Sequence, residues 1–205
     1  MLSRNGNRPL VAAVTGRIGS GKSTVSALLA GMGVPVLDLD AVGRALQQRP
    51  EIAAGIARAF GPEVVCDGVV DRAALAARCF ADRAALRRLE ALLHPLIWRE
   101  AEGWIARQEG VCVVEASALR DRPHLVDVVV GVQAARPLRR RRVAARGGRA
   151  AEYFDAIDRL QRPPKADVVI DNNDGMDRLR QEVARLHGRL LRRARRHADR
   201  LSGPG

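Results

Sequence analysis

The sequence predicts an α/β fold in which a parallel sheet lies between layers of helices. Short, continuous apolar runs, typical of strands buried on both faces, alternate with segments whose apolar residues recur at helical spacing. A glycine-rich loop joins the first apolar run to the first helical segment, as in sheets that bind phosphate groups at a helix N-terminus. The runs fall at residues 10–15, 34–37, 111–114, 126–132 and 166–170.

The glycine-rich loop, residues 16–24, fits the pattern G-x-x-x-x-G-K-[ST]. Glycines let such a loop curl so that its backbone N–H groups cradle phosphates. We expect Lys22 to reach the β- and γ-phosphates and the Ser23 hydroxyl to hold Mg²⁺. The predicted phosphate-binding residues are Gly19, Ser20, Gly21, Lys22, Ser23 and Thr24. This pattern predicts a P-loop nucleotide-binding fold.

Composition singles out the same loop. The chain has 35 Lys and Arg residues, and Lys22 and Lys165 are its only lysines. A compact ammonium grips phosphate as a point charge, whereas the guanidinium is a broad fork. The only threonines, Thr15 and Thr24, lie at the two ends of this loop. The formal net charge of +12 favours polyanionic partners such as nucleotides and coenzymes.

Length and patterning place the chain in a broad class. Its 205 residues suit a single domain, and no apolar run approaches the eighteen or so residues of a membrane span. The three cysteines lack C-x-x-C spacing, so neither a disulfide framework nor a zinc site is expected, and we expect all three thiols to be buried. The sequence therefore predicts a cytoplasmic protein that does not enter the membrane.

Two carboxylates follow the second apolar run. Asp38 and Asp40 stand at its end, and the carboxyl ends of parallel strands are where α/β sheets bind ligands. Either side chain is then close enough to approach the γ-phosphate or an acceptor hydroxyl. The alternative for Asp40 is a purely structural role as the N-cap of the next helix.

The next stretch, residues 44–109, is helical in pattern. A long segment starting at Asp82 carries leucines at steps of three and four residues, and Pro95 lies inside it. Because proline removes a backbone donor and clashes with the preceding turn, we expect a break or kink around His94. A histidine at a kink is free to point into a cleft.

An arginine-rich helix follows the strand at 126–132. Arg142 and Arg146 are four residues apart and share one helical face. Arginine supplied by a closing lid stabilises charge on a transferring phosphoryl group, so these two are the candidates for phosphate contact. The alternative is a solvated charged face.

The C-terminal segment predicts a helix with two unlike faces. Its apolar stripe, which we expect to dock on the sheet, comprises Met176, Leu179, Val183, Leu186 and Leu190. The other face is basic, and we expect a solvated, fraying end. Nucleic-acid binding by this tail is the alternative, but no aromatic platform accompanies it.

At this point the chain resembles the dephospho-coenzyme A kinase family over roughly residues 10–190. The likeness rests on the phosphate loop, the 36–40 segment, the Arg142 and Arg146 pair and the 166–172 strand. The stretch Leu92-Leu93-His94-Pro95-Leu96-Ile97 discriminates most strongly, because ordinary nucleotide kinases lack it.

The resemblance implies an enzyme that transfers the γ-phosphate of ATP to the ribose 3′-hydroxyl of dephospho-coenzyme A. It implies Lys22, Asp40 and Arg146 as catalytic residues, with Asp40 as the base or orienter of the hydroxyl. Arg142 would bind ATP, and Asp38 and His94 would belong to the coenzyme side. It also implies a core at 8–43, 110–135 and 166–190, a coenzyme-binding region near 44–109, a lid near 136–165 and a tail at 191–205.

The chain departs from the family pattern in three places. Arg17 stands where glycine is usual, and Glu115-Ala116-Ser117-Ala118-Leu119 replaces Pro-Leu-Leu followed by an acidic residue. The segment from Gln161 to Ala166 is shorter than usual. Two alternatives therefore stay open: a P-loop kinase for another small alcohol or nucleoside, and a catalytically weakened nucleotide-binding relative.

Overall fold

The computed structural model describes residues 8–117, 119, 124–161 and 164–201. The strands are β1 Leu10–Thr15, β2 Val36–Asp38, β3 Val65–Cys66, β4 Val69–Val70, β5 Val111–Glu115, β6 Val128–Gln133 and β7 Val168–Asp171. The helices are α1 Lys22–Gly31, α2 Leu39–Leu46, α3 Pro50–Phe60, α4 Arg72–Ala81, α5 Arg83–Ile105, α6 Arg136–Arg146, α7 Arg149–Glu152, α8 Phe154–Leu160 and α9 Met176–Leu201.

The chain divides into two compact units. The first comprises the N-terminal part up to residue 38 and the part from residue 102 onward, and the second comprises residues 39–101. The helices of the described ranges include none that is both long enough and apolar enough to cross a membrane.

The first unit is built on a parallel sheet with the strand order β2-β5-β1-β6-β7. Every residue of β1 and of β5 is buried, as expected for strands covered on both faces. Asp38 is opposite Glu115 in the register, and Gln133 is opposite Asp171. The polar residues that end these strands therefore line one edge of the sheet. This confirms the predicted α/β fold with a parallel sheet.

Helices α1 and α9 share one hydrophobic cluster with the sheet. Leu179, Val183, Leu186 and Leu190 are each at most 2% exposed, so these members of the predicted stripe are buried. Met176 was also expected there, but it is 47% exposed because it is the first residue of α9, where the helix begins beyond the sheet-facing turn. The helix extends through the basic end to Leu201.

The second unit has its own core of residues from α3, α4, α5 and the short antiparallel β3–β4 pair. Asp71 caps α4 by accepting from the backbone N–H groups of Ala73 and Ala74. Cys79 is buried in this unit, whereas Cys66 is exposed, which corrects the expectation that all three thiols are buried. Burial raises the pKa of Cys112, in the first unit, to about 12.

Helix α5 is not broken at Pro95, so of the break or kink predicted around His94 the break is wrong. The helix is assigned without interruption from Arg83 to Ile105. A proline removes one backbone donor, and the neighbouring turns of this long helix keep their own hydrogen bonds. Leu93 and Ala101 are buried on either side of it, and their packing helps to hold the helix in one piece.

The packing of α9 makes a stability prediction. Leu186→Ala removes a fully buried side chain and should lower the free energy of unfolding by about 2–5 kcal/mol. Leu191→Ala, at a position 41% exposed on the same helix, should change it by less than about 1 kcal/mol. Urea unfolding followed by circular dichroism measures both, and equal effects would contradict the assignment of the buried face.

Candidate active site

The phosphate loop leaves β1 at Thr15 and enters α1 at Lys22. Gly19 and Gly21 have φ of 75° and 102°, which L side chains rarely adopt. A Cβ at Gly19 would meet the backbone of Arg139, and a Cβ at Gly21 would meet the side chain of Asn172. Glycine is therefore required at both positions by conformation and by space. Gly21 caps α1 without a side-chain hydrogen bond, so the helix N-terminus faces the loop through backbone alone.

Lys22 and Ser23 are the first residues of α1. The Lys22 ammonium, in a residue only 8% exposed, donates to the carbonyl of Gly16 at 3.1 Å across the loop. The Ser23 hydroxyl donates to the Glu115 carboxylate at 2.6 Å. Glu115 is buried at the end of β5, so the structure pairs a hydroxyl and a carboxylate at the sheet edge beside the loop.

Asn172 connects the loop to the arginine-rich helix α6. Its amide Nδ2 donates to the carbonyl of Ser20 at 2.8 Å. Arg142 in turn donates to the backbone carbonyl and to Oδ1 of Asn172, at 3.0 and 3.3 Å. Asn172 follows β7 directly, so the end of the edge strand holds the loop and the arginine together.

Arg142 lies in a strongly positive environment. Its Nη1 atom is buried and has no hydrogen-bond partner among the described residues. Burial and the nearby charges of Arg141 and Arg146 lower the pKa of Arg142. A bound anion would relieve both the repulsion and the missing hydrogen bond.

A second polar cluster centres on Asp158 of α8, whose side chain is 6% exposed. The buried Arg139 donates to both carboxylate oxygens of Asp158, at 2.5 and 3.3 Å. Burial alone would raise the pKa of Asp158, but the hydrogen bonds and charges of Arg139 and Arg17 outweigh it and lower the pKa below its usual range. Asp158 is therefore held as a carboxylate by arginine.

A cleft of about 320 Å³ opens beside the loop. Its lining residues come from the loop, from the end of β6 and from the start of α6: Arg17, Ser20, Val132, Gln133, Ala134 and Arg139. The phosphate loop thus forms one wall of a polar cleft at the carboxyl end of the sheet.

The family model for dephospho-CoA kinase matches residues 10–178 of this chain. The chain belongs to the dephospho-CoA kinase family. Among its relatives, the dephospho-CoA kinase of Mesorhizobium japonicum is 41% identical over 187 residues, which cover 85% of this chain and 93% of that one. The dephospho-CoA kinase of Nitrobacter winogradskyi is 33% identical, with 92% of this chain and all of that one covered.

Solved structures share the fold of this chain. A crystal structure of a protein from Thermus thermophilus superposes with a TM-score of 0.77 at 34% identity, covering 90% of this chain and 99% of that chain. The dephospho-CoA kinase from Campylobacter jejuni, at 21% identity and a TM-score of 0.56, covers 89% of this chain and 98% of its own and shares the fold.

In this member of the dephospho-CoA kinase family, the first unit brings together most of the residues singled out from the sequence. The loop residues 19–24, Asp38 at the end of β2 and Arg142 on α6 all belong to it. Arg146 is the last residue of α6 and is exposed.

Asp40 and His94 belong to the second unit, and both are half-buried. Asp40 lies inside the first turn of α2, which begins at Leu39, so it does not occupy the N-cap position that the structural alternative required. His94 lies within α5, next to Pro95.

Sequence reasoning missed four residues of the site. Glu115 was treated as part of a departure from the family pattern, although its place at the end of an apolar run resembles that of Asp38. Arg139 precedes Arg142 by three residues and Arg146 by seven, a spacing that would have placed it on the same helical face. Nothing in the local sequence marked Asp158 or the role of Asn172, because their partners are 19 and 152 residues away.

The lowered pKa of Asp158 makes a pH prediction. A carboxylate whose pKa is depressed on folding contributes stability above its unfolded pKa and loses it as the pH falls through the folded value. Asp158→Asn should therefore cost about 2–4 kcal/mol at neutral pH. The difference from the wild type should shrink below about pH 4.

Chemical denaturation at a series of pH values between 7 and 2.5 measures this difference. Asp155→Asn is the matched control, because Asp155 lies on the same helix and pairs with Arg136 and Arg140 while 42% exposed. That control should cost less than about 1 kcal/mol at every pH. A cost of Asp158→Asn that did not vary with pH would contradict the charged state assigned to Asp158.

Proposed function

We propose that this chain transfers the γ-phosphoryl group of ATP to the ribose 3′-hydroxyl of dephospho-coenzyme A. Its family is that of the kinases that catalyse the last step of coenzyme A synthesis. The observation that carries the proposal is the intact phosphate loop of a family member, with Lys22 inside the loop and Ser23 paired with Glu115. A weakened relative would not be expected to retain these groups in this arrangement.

The loop and Lys22 bind the phosphate groups of the nucleotide. The N-terminus of α1 carries partial positive charge, and the Lys22 ammonium adds a full charge within the same curl. Both favour the β- and γ-phosphates, and both stabilise charge that moves toward the leaving oxygen during transfer.

The pair of Ser23 and Glu115 fits a Mg²⁺ site. A hydroxyl and a carboxylate oxygen are the hard ligands this ion prefers, and Glu115 is buried with its charge directed at the Ser23 hydroxyl. Mg²⁺ bound there would neutralise phosphate charge and orient the phosphates. Ser23 would be a ligand, and Glu115 would attract the ion and fix the Ser23 hydroxyl.

The arginines of α6 complete the electrostatic environment. Arg142 is held by Asn172 through one nitrogen and keeps the buried Nη1 for an anion. Arg146, exposed at the end of the helix, is the arginine proposed to reach the transferring group. We assign these roles within a lid formed by residues 136–165.

The acceptor side is assigned to Asp38, Asp40 and His94. Asp40 accepts the proton of the 3′-hydroxyl. At the same time the hydroxyl oxygen forms a bond to the γ-phosphorus, and the bond from the γ-phosphorus to the β,γ-bridging oxygen breaks. Asp38 and His94 bind the coenzyme moiety. The helical region near 44–109 is proposed to carry the coenzyme-binding surface.

The proposed compartment is the cytoplasm. The three thiols are free, which is usual for proteins of a reducing compartment.

The second candidate, a kinase for another small alcohol, keeps the same phosphate chemistry and differs only in the acceptor.

Acceptor-dependent release of ADP tests the function. With Mg²⁺ and ATP, the purified protein should release ADP when dephospho-coenzyme A is added, and the product should have the mass of coenzyme A.

Asp40→Asn should lower kcat by about 10²–10⁴ while ATP still binds, because the proton acceptor is lost. Lys22→Ala should lower kcat/KM by about 10²–10³, because a phosphate-stabilising charge is lost.

Asp177→Asn is the control for Asp40→Asn, because its side chain is 93% exposed at the start of α9. It should leave turnover unchanged. ADP release without added acceptor, or turnover only with other alcohols or nucleosides, would contradict the proposed acceptor. Near-full turnover of Asp40→Asn would contradict the role of Asp40 alone.

The role of Glu115 has its own test. Glu115→Gln keeps a hydrogen-bond acceptor for Ser23 but removes the charge, so the Mg²⁺ concentration for half-maximal rate should rise about 10- to 100-fold. Glu109→Gln, an exposed neighbour just before β5, should leave the Mg²⁺ titration unchanged. An unchanged titration in Glu115→Gln would show that Glu115 does not serve the ion.

A further inference from the structure

The outer half of the phosphate loop is attached to helices α6 and α8. The Ile18 N–H donates to the Gln161 side chain at 2.5 Å, and the Ile18 carbonyl accepts from Arg139 at 3.2 Å. Arg17 Nη1 donates to the backbone carbonyl of Asp158 at 3.3 Å and lies 3.4 Å from its Oδ1. Two consecutive loop residues therefore contact the segment proposed as a lid.

The arginines that make these contacts differ in how deeply they are buried. Arg139 is buried and spans Asp158, Ala134 and Ile18, so it belongs to the internal structure of this unit. The side chain of Arg17 is 47% exposed and reaches Asp158 from the solvent side. Removing the Arg17 side chain therefore breaks one link between the loop and α8 without opening the core.

Arg17 is one of three arginines around the Asp158 carboxylate. The Asp158 carboxylate is nearly inaccessible, and the nearby Arg136, Arg139 and Arg17 bring three positive charges to one negative charge. Arg17 also makes a hydrogen bond to the Asp158 backbone carbonyl, which does not depend on the carboxylate being free. The contact thus joins the loop to the backbone of α8 as well as to its side chain.

We propose that Arg17 is a positioning residue that ties the phosphate loop to helix α8 through Asp158. The link holds α8 against the loop and keeps the wall of the adjoining cleft in place. Its effect on catalysis rests on the proposed function: when the link is lost, the loop and the lid no longer present a single preformed surface to the nucleotide. Arg17 acts through Asp158 and not by touching the phosphates.

The direct test needs no substrate. Amide hydrogen exchange, read by mass spectrometry on peptides covering residues 153–161, reports the opening of α8. Arg17→Ala should speed exchange in α8 about twofold to fivefold, the change that a half-exposed ion pair supports. Arg178→Ala is the control, because Arg178 is 52% exposed, pairs with Glu182 within α9 and should leave exchange in α8 unchanged.

Steady-state kinetics with Mg²⁺ and ATP distinguishes a positioning role of Arg17 from a direct contact between Arg17 and the transferring group. Arg17→Ala should raise KM for ATP about twofold to fivefold and leave kcat within about twofold, and Arg17→Lys should restore most of the loss. In an Asp158→Asn background the further effect of Arg17→Ala should become smaller but persist, because the backbone carbonyl of residue 158 still accepts from Arg17.

Exchange in α8 that is unchanged by Arg17→Ala, or that Arg178→Ala speeds equally, would overturn the proposal. So would a fall in kcat of more than about tenfold with an unchanged KM, which would mean that Arg17 acts on the transferring group itself. Thermal melting of each variant verifies that it is folded. Because the exchange measurement involves no reaction, its result stands whether or not the proposed acceptor is correct.

Discussion

The curl of the phosphate loop depends on contacts from three distant segments of the first unit. Glycines at 19 and 21 permit the backbone conformation, but they do not by themselves select it. Asn172 after β7 holds the Ser20 carbonyl, Arg139 of α6 holds the Ile18 carbonyl, and Gln161 after α8 holds the Ile18 N–H. These contacts hold the phosphate loop in one shape, with the N-terminus of α1 behind it.

The parallel sheet explains how these contacts reach the loop. Parallel strands end on the same side of the sheet, so Asp38, Glu115 and Asn172 all lie at carboxyl ends of its strands although they are far apart in the chain. Glu115 ends a strand of buried valines and Asn172 follows the buried Ile170, whereas Asp38 ends β2, whose residues are half-buried. The hydrophobic core therefore fixes the positions of polar groups that would otherwise be costly to bring together.

The strong positive charge of the chain has two uses in this unit. Some arginines are structural: Arg139 is buried and neutralised by Asp158, and Arg136, Arg139 and Arg140 surround the ring of the buried Phe154 at 5.7–6.0 Å. Arg142 differs, because its buried Nη1 has no hydrogen-bond partner among the described residues, and we propose that an anion supplies one. The same residue type thus builds the α6–α8 segment and gives it a positive surface.

Sequence reasoning succeeded where the signal is local. The phosphate loop, the buried strands and the apolar residues of α9 from Leu179 onward follow from spacing and composition. It failed where the determinant is a contact between distant residues: Glu115 counted as a departure until its hydrogen bond to Ser23 was seen, and Asn172 acts on a loop 152 residues away. Met176 was assigned to the core because periodicity shows the face of a helix, but not where along that face the sheet ends.

We propose that the loop, Ser23 and Glu115 form a nucleotide site that is already in its working shape. A crystal structure with Mg²⁺ and a non-hydrolysable ATP analogue tests this. We expect phosphates inside the loop, the ion beside Ser23 and Glu115, and loop backbone shifts below about 1 Å. A loop that refolds around the nucleotide, or an ion bound away from both side chains, would contradict it.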